Sequence, residues 1–328
     1  MDNTRVFNSG TMDYIPSDVK GTSVLRRLYL ILNHCVKFGL SPIVGCFSYF
    51  LKLCRCNWGP KCIAGHVVLV TGGANGIGRE LCLKLAKEKC RIAIVDINLE
   101  AAEQTVEDIR QLGVEAKAYH ADVTDYDAIL KIRMKIQEDF QSSVDILINN
   151  VGLVPLLTLS RATKEQIERM MAVNVTSTML ITKLFMEDMV KQGRGHIVAT
   201  SSAFSLAPGS TVDGVTAFAV RGFMANLRQE ILINNWEDMI KTTTTYPYYT
   251  TTRKELTDYL EKIKVLKEMF LADVTNVANS TVKAIKWEKE NLTIPNGFYL
   301  LMIFMGNFPS TVTRRFYRMA FGRSSNFP

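Results

Sequence analysis

Short apolar runs alternate with longer amphipathic stretches through the middle of this 328-residue chain. Residues 66–70 read HVVLV and residues 91–96 read RIAIVD, which is typical of short strands buried on both faces of a sheet. Because such strands alternate with helical stretches, the pattern predicts an α/β fold with a doubly wound parallel sheet in a single domain. The other predicted strands are residues 144–150, 197–200 and 242–245, and the predicted helices are residues 79–89, 99–112, 164–180 and 181–192.

Polar residues follow several of these predicted strands. In doubly wound sheets the ligands bind at the carboxyl ends of the strands. Five residues are predicted to lie at that edge: Asp96, Asn149, Ser201, Ser202 and Pro247.

A glycine-rich turn follows the first predicted strand directly. Gly72, Gly76 and Gly78 have the spacing G-x-x-x-G-x-G, which allows a tight turn, close approach of the backbone to a pyrophosphate and a helix that begins at the ligand. Strand, glycines and helix occur in the order that a Rossmann-type dinucleotide site requires. Thr71 and Ile77 complete the predicted cofactor-binding turn.

The second predicted strand ends at Asp96, about twenty residues after the glycines. A carboxylate there can accept hydrogen bonds from the adenosine ribose and would repel a 2′-phosphate. Neither Ala74 nor Asn75 supplies a positive charge, so NAD(H) is favoured over NADP(H). The alternative interpretation is that Asp96 only caps the loop before the helix of residues 99–112.

Seven motifs in order carry a resemblance to a known family. The chain resembles the short-chain dehydrogenase/reductases over residues 66–289. Within them it is most similar to the membrane- and lipid-droplet-associated branch of epidermal retinol dehydrogenases and some hydroxysteroid dehydrogenases. The motifs are TGGANGIG (71–78), VDIN (95–98), HADVTD (120–125), NNVG (149–152), VNV (173–175), GHIVATSS (195–202) and YPYYT (246–250).

The resemblance assigns roles to several residues. It implies that Asp122 and Val123 flank the adenine, and that the residues from Asn149 to Gly152 line the cofactor groove. It also implies that Asn174 holds a catalytic water, and that the cofactor is NAD.

Two catalytic positions depart from the family's pattern. Family members use a serine to orient the reacting oxygen, a tyrosine to exchange the proton and a lysine that lowers the pKa of the tyrosine and binds the nicotinamide ribose. Ser202 fits the serine position, but Asp213 and Ala217 occupy the tyrosine and lysine positions. The interval from Ser202 to Asp213 is also two residues shorter than usual in the family. No tyrosine lies between Tyr126 and Tyr246 and no lysine between Lys191 and Lys241, so no other alignment restores the pair.

The loss predicts impaired chemistry, because general acid–base catalysis contributes about 10²- to 10⁴-fold. An aspartate with an ordinary pKa of about 3.9 is deprotonated at neutral pH and is a poor replacement for the tyrosine. One hypothesis is therefore a pseudoenzyme that binds NAD(H) but transfers hydride poorly. The alternative is an active NAD-dependent oxidoreductase of lipophilic alcohols or ketones, such as retinoids or steroids, with displaced catalytic groups. Candidates for relocated catalysis are Tyr246, Tyr248 and Tyr249, unless these rings only line an apolar pocket.

The N-terminal part contains an apolar stretch, residues 28–53, interrupted by polar side chains and by Pro42. Its length suffices for one span, but basic residues flank both ends. This pattern favours a hairpin or an interfacial anchor over a single span and over a cleaved secretory signal. We expect the endoplasmic reticulum membrane or a lipid droplet as the location, with the catalytic domain facing the cytosol.

The C-terminal part has a similar character. Residues 298–304 are strongly apolar and residues 313–323 interleave arginines with aromatic rings. Such a segment suits an anionic lipid surface; the alternative is a lid over the substrate pocket or a dimer element.

These features define four predicted regions. Residues 1–22 form a polar tail, residues 23–57 the anchor, residues 58–290 the NAD-binding domain and residues 291–328 an apolar and basic segment. The net charge of +7 lies mainly near the two ends, which favours membrane proximity over nucleic-acid binding. The expected partners are NAD(H), a lipid surface, a lipophilic small molecule and a second subunit in a homodimer or a heterodimer with related proteins. Cys54 and Cys56 are candidates for palmitoylation, and the four histidines show no metal-binding spacing.

Overall fold

The chain divides into two compact units, Met1–Gly59 and Pro60–Pro328, and the elements given below belong to the second. The structure is a computed structural model. The residues that it describes are 59–155, 159–206, 211–248, 272–297 and 299–308, together with Asn33, Val36, Gly39, Leu40, Thr250, Thr311, Val312 and Arg315.

A seven-stranded parallel sheet forms the centre of the fold, with the strand order β3-β2-β1-β4-β5-β6-β7. The order reverses between β1 and β4, as in a Rossmann-type doubly wound sheet. The predicted α/β fold is therefore confirmed. The strands are β1 (Val67–Thr71), β2 (Arg91–Asp96), β3 (Ala116–His120), β4 (Ile146–Asn149), β5 (Gly195–Thr200), β6 (Ile240–Pro247) and β7 (Asn291–Ile294).

Helices cover both faces of the sheet, and each face has its own apolar core. Leu81, Val106 and Ile285 pack on one face, while Ile136, Phe185 and Met224 pack on the other. Their burial follows the helical spacing of apolar residues. The helices are α1 (Gly76–Lys87), α2 (Leu99–Arg110), α3 (Tyr126–Phe140), α4 (Lys164–Met170), α5 (Ser177–Gln192), α6 (Thr211–Ile233), α7 (Val274–Lys286) and α8 (Tyr299–Gly306).

The helical region after β4 differs from its prediction. We expected two helices meeting between Leu180 and Ile181, but α4 continues through a π-helical segment, Met171–Thr176, directly into α5. The backbone keeps right-handed helical angles at Thr176 and Ser177, so the helix continues without a break. In the π-helical segment the hydrogen bonds join residues five positions apart instead of four. The predicted strand of residues 242–245 is the middle of the longer β6.

A buried histidine connects the chain before β1 to the centre of the sheet. His196 on β5 is 1% exposed; its Nδ1 lies 2.9 Å from Lys61 Nζ and its Nε2 lies 2.8 Å from Thr243 Oγ1. The Thr243 hydroxyl donates to the Lys289 carbonyl, so it accepts a hydrogen bond from Nε2–H of His196. Burial, followed by the nearby charges of Lys61 and Lys241, holds the pKa of His196 well below its usual value.

The predicted anchor, residues 28–53, lies outside the described residues except for Asn33, Val36, Gly39 and Leu40, which are helical. Within the described part of the chain, no helix is both long and apolar enough to cross a bilayer. Cys54 and Cys56 also lie outside the described residues, as do residues 313–323 except Arg315.

The C-terminal helix α8 carries an apolar surface at a spacing of four residues. Leu300 is 78% exposed and Phe304 is 63% exposed, and Phe308 and Val312 continue the same spacing beyond the helix. On another side, the ring of Tyr299 lies 5.6 Å from the ring of Tyr246 on β6. The helix therefore contacts the sheet through Tyr299 and exposes a row of large apolar side chains.

Candidate dinucleotide site and catalytic positions

The glycine turn between β1 and α1 has the geometry of a pyrophosphate cradle. Gly72 and Gly76 have φ angles of +71° and +57°, which favour glycine. A Cβ atom on Gly78 would lie 1.9 Å from the carbonyl oxygen of Gly72, so only glycine fits there. Asn75 precedes α1 without a side-chain cap, which leaves the first amides of the helix available to an anion.

Asn150 braces this turn from the end of β4. Its side-chain amide donates to the carbonyls of Thr71 and Gly72, both at 3.3 Å, and its Oδ1 accepts from Thr200 Oγ1 at 3.4 Å. One side chain therefore joins the ends of β1, β4 and β5. The sequence placed the residues from Asn149 to Gly152 in the groove but did not indicate that Asn150 braces the glycine turn; the doubled amide of NNVG was the available signal.

Asp96 ends β2 and turns its carboxylate toward the glycine turn. Its Oδ2 accepts from the Ala74 backbone amide at 3.0 Å and its Oδ1 accepts from the Asn98 amide at 2.9 Å. Asn98, rather than Asp96, caps α2 through Ala101. A carboxylate accepts about four hydrogen bonds, so Asp96 has capacity left for ribose hydroxyls while it fixes the turn.

The predicted adenine residues Asp122 and Val123 follow β3. Asp122 accepts hydrogen bonds from Thr124 and from the Arg169 guanidinium at 2.7 Å. Partial burial alone would raise the pKa of Asp122, but these hydrogen bonds outweigh it and hold the pKa below its usual value. Val123 is 7% exposed, and Ile77 on α1 is half-buried.

Asn149 is buried at the end of β4, and its amide donates to Thr182 Oγ1 at 2.9 Å. Its Oδ1 has no hydrogen-bond partner among the described residues. Gly152 is exposed, and a Cβ atom there would meet only Asn174 Oδ1, at an ordinary 3.9 Å. The structure therefore places Gly152 at the groove without a steric need for glycine.

Asn174 lies in the π-helical segment and holds the loop after β4. Its Oδ1 accepts from the Leu153 amide, while its Nδ2 donates to the Leu153 carbonyl, each at 2.8 Å, and to Thr216 Oγ1 at 3.1 Å. Its backbone carbonyl accepts from Thr178. The Asn174 side chain thus joins the groove to α6 one residue before Ala217, a contact that the sequence did not indicate.

The two serines after β5 have different partners. Ser202 Oγ accepts from the Phe204 amide at 3.2 Å and starts a short 3₁₀ turn, Ala203–Ser205. Ser201 Oγ donates to the Ala217 carbonyl at 3.0 Å. Asp213 lies in the first turn of α6 and is 7% exposed. The serine end of β5 and the beginning of α6 are therefore adjacent, as the family's catalytic arrangement requires.

Tyr246 does not occupy a relocated catalytic position. It is fully buried, and its hydroxyl donates to Asn291 Oδ1 on β7 at 2.9 Å. Burial raises the pKa of Tyr246 to about 12, which makes proton exchange at neutral pH unfavourable. Tyr248 follows β6, with its amide on the Ile294 carbonyl, and Tyr249 lies outside the described residues.

The described part of the chain contains no group of three metal-ligating side chains. It combines a dinucleotide cradle with two serines after β5, and Asp213 and Ala217 occupy the positions predicted for the tyrosine and the lysine. A parallel sheet with this glycine turn at its switch point defines a Rossmann-type dinucleotide-binding fold.

Residues 66–260 match the short chain dehydrogenase family, and the chain belongs to that family. Estradiol 17-beta-dehydrogenase 11 of Mus musculus is 34% identical over 209 residues, which cover 63% of this chain and 67% of the mouse protein. Retinol dehydrogenase 10-A of Xenopus laevis is 29% identical over 239 residues, which cover 62% of this chain and 70% of the frog protein. The predicted branch, with hydroxysteroid and retinol dehydrogenases, is confirmed by these relatives.

A solved structure shows the same fold. A short chain dehydrogenase/reductase from Burkholderia phymatum in complex with NAD has a TM-score of 0.65 at 19% identity, over 82% of this chain and 99% of that chain. The match with the first curated relatives spans 62% of their length, less than two thirds.

Proposed function

We propose that this protein is an NAD(H)-binding short-chain dehydrogenase/reductase that transfers hydride poorly and works as a pseudoenzyme at a lipid surface. The observation that carries the proposal is the combination of a sterically exact glycine cradle with Asp213 and Ala217 at the proton-transfer positions. The first feature retains the cofactor; the second removes the groups that use it.

The cofactor half fits NAD(H) on the geometry of the chain itself. The amides at the start of α1 and the Gly72 turn would hold the pyrophosphate, and Asp96 would accept the ribose hydroxyls. NAD supplies hydride exchange at its nicotinamide ring when bound. The Asp96 carboxylate favours NAD(H) because it would repel the additional phosphate of NADP(H).

The catalytic half lacks a proton donor and a ribose-binding cation. Ser202 remains to orient a substrate oxygen, but the Asp213 carboxylate is shorter than a tyrosine side chain. At Ala217, a methyl group stands where an ammonium would lower the tyrosine pKa. The expected loss is about 10²- to 10⁴-fold or more in turnover, the usual contribution of general acid–base catalysis.

A lipid surface is the proposed location, at the endoplasmic reticulum membrane or a lipid droplet with this domain in the cytosol. Three observations support it: the apolar residues 28–53, the exposed row Leu300, Phe304, Phe308 and Val312, and the lipophilic alcohols after which two relatives are named. Large apolar side chains exposed in a row mark interaction sites. A lipophilic ligand and a second subunit are proposed on the same grounds.

The test of the catalytic proposal uses the purified full-length protein in detergent. We expect NADH to bind, as measured by calorimetry, while oxidation of retinol and oestradiol stays at background. A variant carrying Asp213→Tyr, Ala217→Lys and two inserted residues before position 211 should gain turnover. The matched control adds Ser202→Ala to that variant and should lose the gain.

The outcomes separate the parts of the proposal. Turnover of the native protein at rates shown by an active member assayed in parallel would establish the alternative, an oxidoreductase with displaced catalytic groups. Failure of NADH to bind or to raise the melting temperature would remove the cofactor claim. For location, a fluorescent fusion lacking residues 28–53 should become soluble; retention at membranes would show that this stretch is not the sole anchor.

A further inference from the structure

We propose that a basic cleft between the C-terminal ends of α1 and α7 binds a phosphate group. The cleft has a volume of about 320 Å³, and lysines from both helices line it: Lys84 and Lys87 from α1, and Lys283 and Lys286 from α7. Gly76 and Lys87 lie at opposite ends of α1, eleven residues apart, which is about 16 Å of helix. The cleft is thus separate from the dinucleotide cradle.

Most of the positive charge in the cleft is uncompensated. Glu88 is the one carboxylate in the lining, and its Oε2 lies 2.8 Å from Lys286 Nζ. The ammonium groups of Lys84, Lys87 and Lys283 make no hydrogen bond or ion pair with any residue that the structure describes. Three ammonium groups therefore face one volume without a counter-charge inside the described chain.

The negative ends of the two helix dipoles explain some of the lysines in the cleft, but not all of them. A helix C-terminus carries about half a negative charge and favours lysine in its last turn. Two such ends offset roughly one of the three unpaired charges. The remainder of about two charges suits a phosphate monoester, which carries about −1.5 to −2 at pH 7, and lysine binds phosphate as a point charge.

The cleft also has an apolar wall. Val282 is 6% exposed at its base, and Trp287, directly after α7, is 45% exposed. An exposed tryptophan beside ammonium groups offers a surface for the organic part of a ligand and a polar N–H at its edge. Together the lining selects a phosphate ester over inorganic anions.

The chain entering the domain fixes one side of the cleft. Pro60 is part of the lining, and the Lys61 amide donates to the Lys286 carbonyl at 2.8 Å. Phosphate monoesters occur both as soluble esters and as lipid headgroups, so the phosphate source is one of these two.

The experiment compares Lys87→Gln/Lys283→Gln with a control of equal charge change on other helices, Lys131→Gln/Lys191→Gln. The probes are glycerol 3-phosphate, followed by calorimetry, and phosphatidylcholine vesicles with or without phosphatidic acid, followed by co-sedimentation. All titrations contain saturating NADH, which occupies the cradle of α1. We expect the cleft variant to bind the phosphate probe about tenfold more weakly than native protein, and the control to match native protein.

The two probes distinguish a soluble phosphate ester from a lipid headgroup. Loss of glycerol 3-phosphate binding only in the cleft variant supports a soluble ester, and loss of the preference for phosphatidic acid only in that variant supports a headgroup. Equal binding by native protein, cleft variant and control overturns the proposal, as does absence of binding to both probes. Because the Lys87 and Lys283 variants keep the glycine turn, a failure of NADH to bind would count against the proposed function and leave this comparison intact.

Discussion

The hydroxyl of Ser201 donates a hydrogen bond to the backbone carbonyl of Ala217 over 3.0 Å. This contact holds Ala217, which occupies the position of the family's lysine, against the end of β5. The end of β5 and the start of α6 therefore lie together, and the departures from the family's pattern are the side chains at positions 213 and 217 and the loop before α6, which is two residues shorter than usual. This is why two substitutions and a loop insertion are the appropriate repair.

Gly78→Ala should abolish NADH binding, because the new Cβ would lie 1.9 Å from the Gly72 carbonyl oxygen. The forced backbone shift should also lower the free energy of unfolding by about 1–3 kcal/mol. Gly222→Ala is the matched control: apart from its chain neighbours and the adjacent backbone of α6, no described atom lies within 4 Å of its Cβ position, and alanine should stabilise this helix by about 0.5–1 kcal/mol. Calorimetry and denaturant unfolding measure both effects; unchanged NADH binding in Gly78→Ala would contradict the cradle.

Asp96→Ala should weaken NADH binding about ten- to hundredfold and reduce the preference for NADH over NADPH. The carboxylate both fixes the Ala74 amide and is proposed to accept ribose hydroxyls, and hydrogen bonds to a charged group contribute about 1.5–3 kcal/mol. Asp238→Ala removes the same charge from an exposed turn and should leave both affinities unchanged. Tighter binding of NADPH than NADH by the native protein would refute the assignment of Asp96.

Tyr246→Phe should leave any residual turnover unchanged, because the hydroxyl is buried on Asn291. The lost hydrogen bond should cost about 1 kcal/mol of stability. Tyr119→Phe, which loses a comparable bond to Asp139, serves as the control. Loss of turnover in Tyr246→Phe alone, with its fold intact by circular dichroism, would restore the idea of relocated catalysis.

His196 should make stability depend on pH in a defined direction. Burial lowers the pKa of His196 well below 6.5 in the folded protein, so the unfolded chain binds the additional proton below about pH 6.5. Above about pH 6.5, His196 is neutral in both states and protonation costs the folded protein nothing. Below that pH, the free energy of unfolding should fall by up to about 1.4 kcal/mol per pH unit. Urea unfolding at several pH values measures the slope.

The control for this pH dependence is another histidine. His196→Gln should flatten the slope, although it also loses packing and hydrogen bonds to Lys61 and Thr243. His120→Gln changes an exposed residue at the end of β3 and should keep the native slope. Equal slopes in native protein and His196→Gln would show that the buried histidine does not control acid stability.

The sequence predicted the parts of the fold that depend on local pattern. Apolar runs located the buried strands, and the glycines located the turn, because their spacing and backbone freedom are local properties. The edge residues Asp96 and Asn149 followed from the rule that ligands bind at the carboxyl ends of strands.

Other features depend on contacts between distant parts of the chain. Asn150 reaches residues 78 and 79 positions earlier, and Asn174 reaches Thr216, 42 positions later; the doubled amide marks Asn150 as unusual, but one sequence does not show which distant residues either side chain contacts. The π-helical segment was missed because its residues have the same apolar spacing as an α-helix. Tyr246 was misjudged as a candidate acid because its position after a strand does not show where its hydroxyl is bonded.

The Asn150 brace means that the two halves of this site can evolve separately. The Asn150 side chain holds the glycine turn through its hydrogen bonds with Thr71, Gly72 and Thr200. Neither Asp213 nor Ala217 takes part in these hydrogen bonds. Selection for cofactor retention can therefore act on β1, β4 and β5 while the start of α6 accumulates changes. A family member can therefore lose its proton-transfer groups and still keep the turn geometry that suits a dinucleotide.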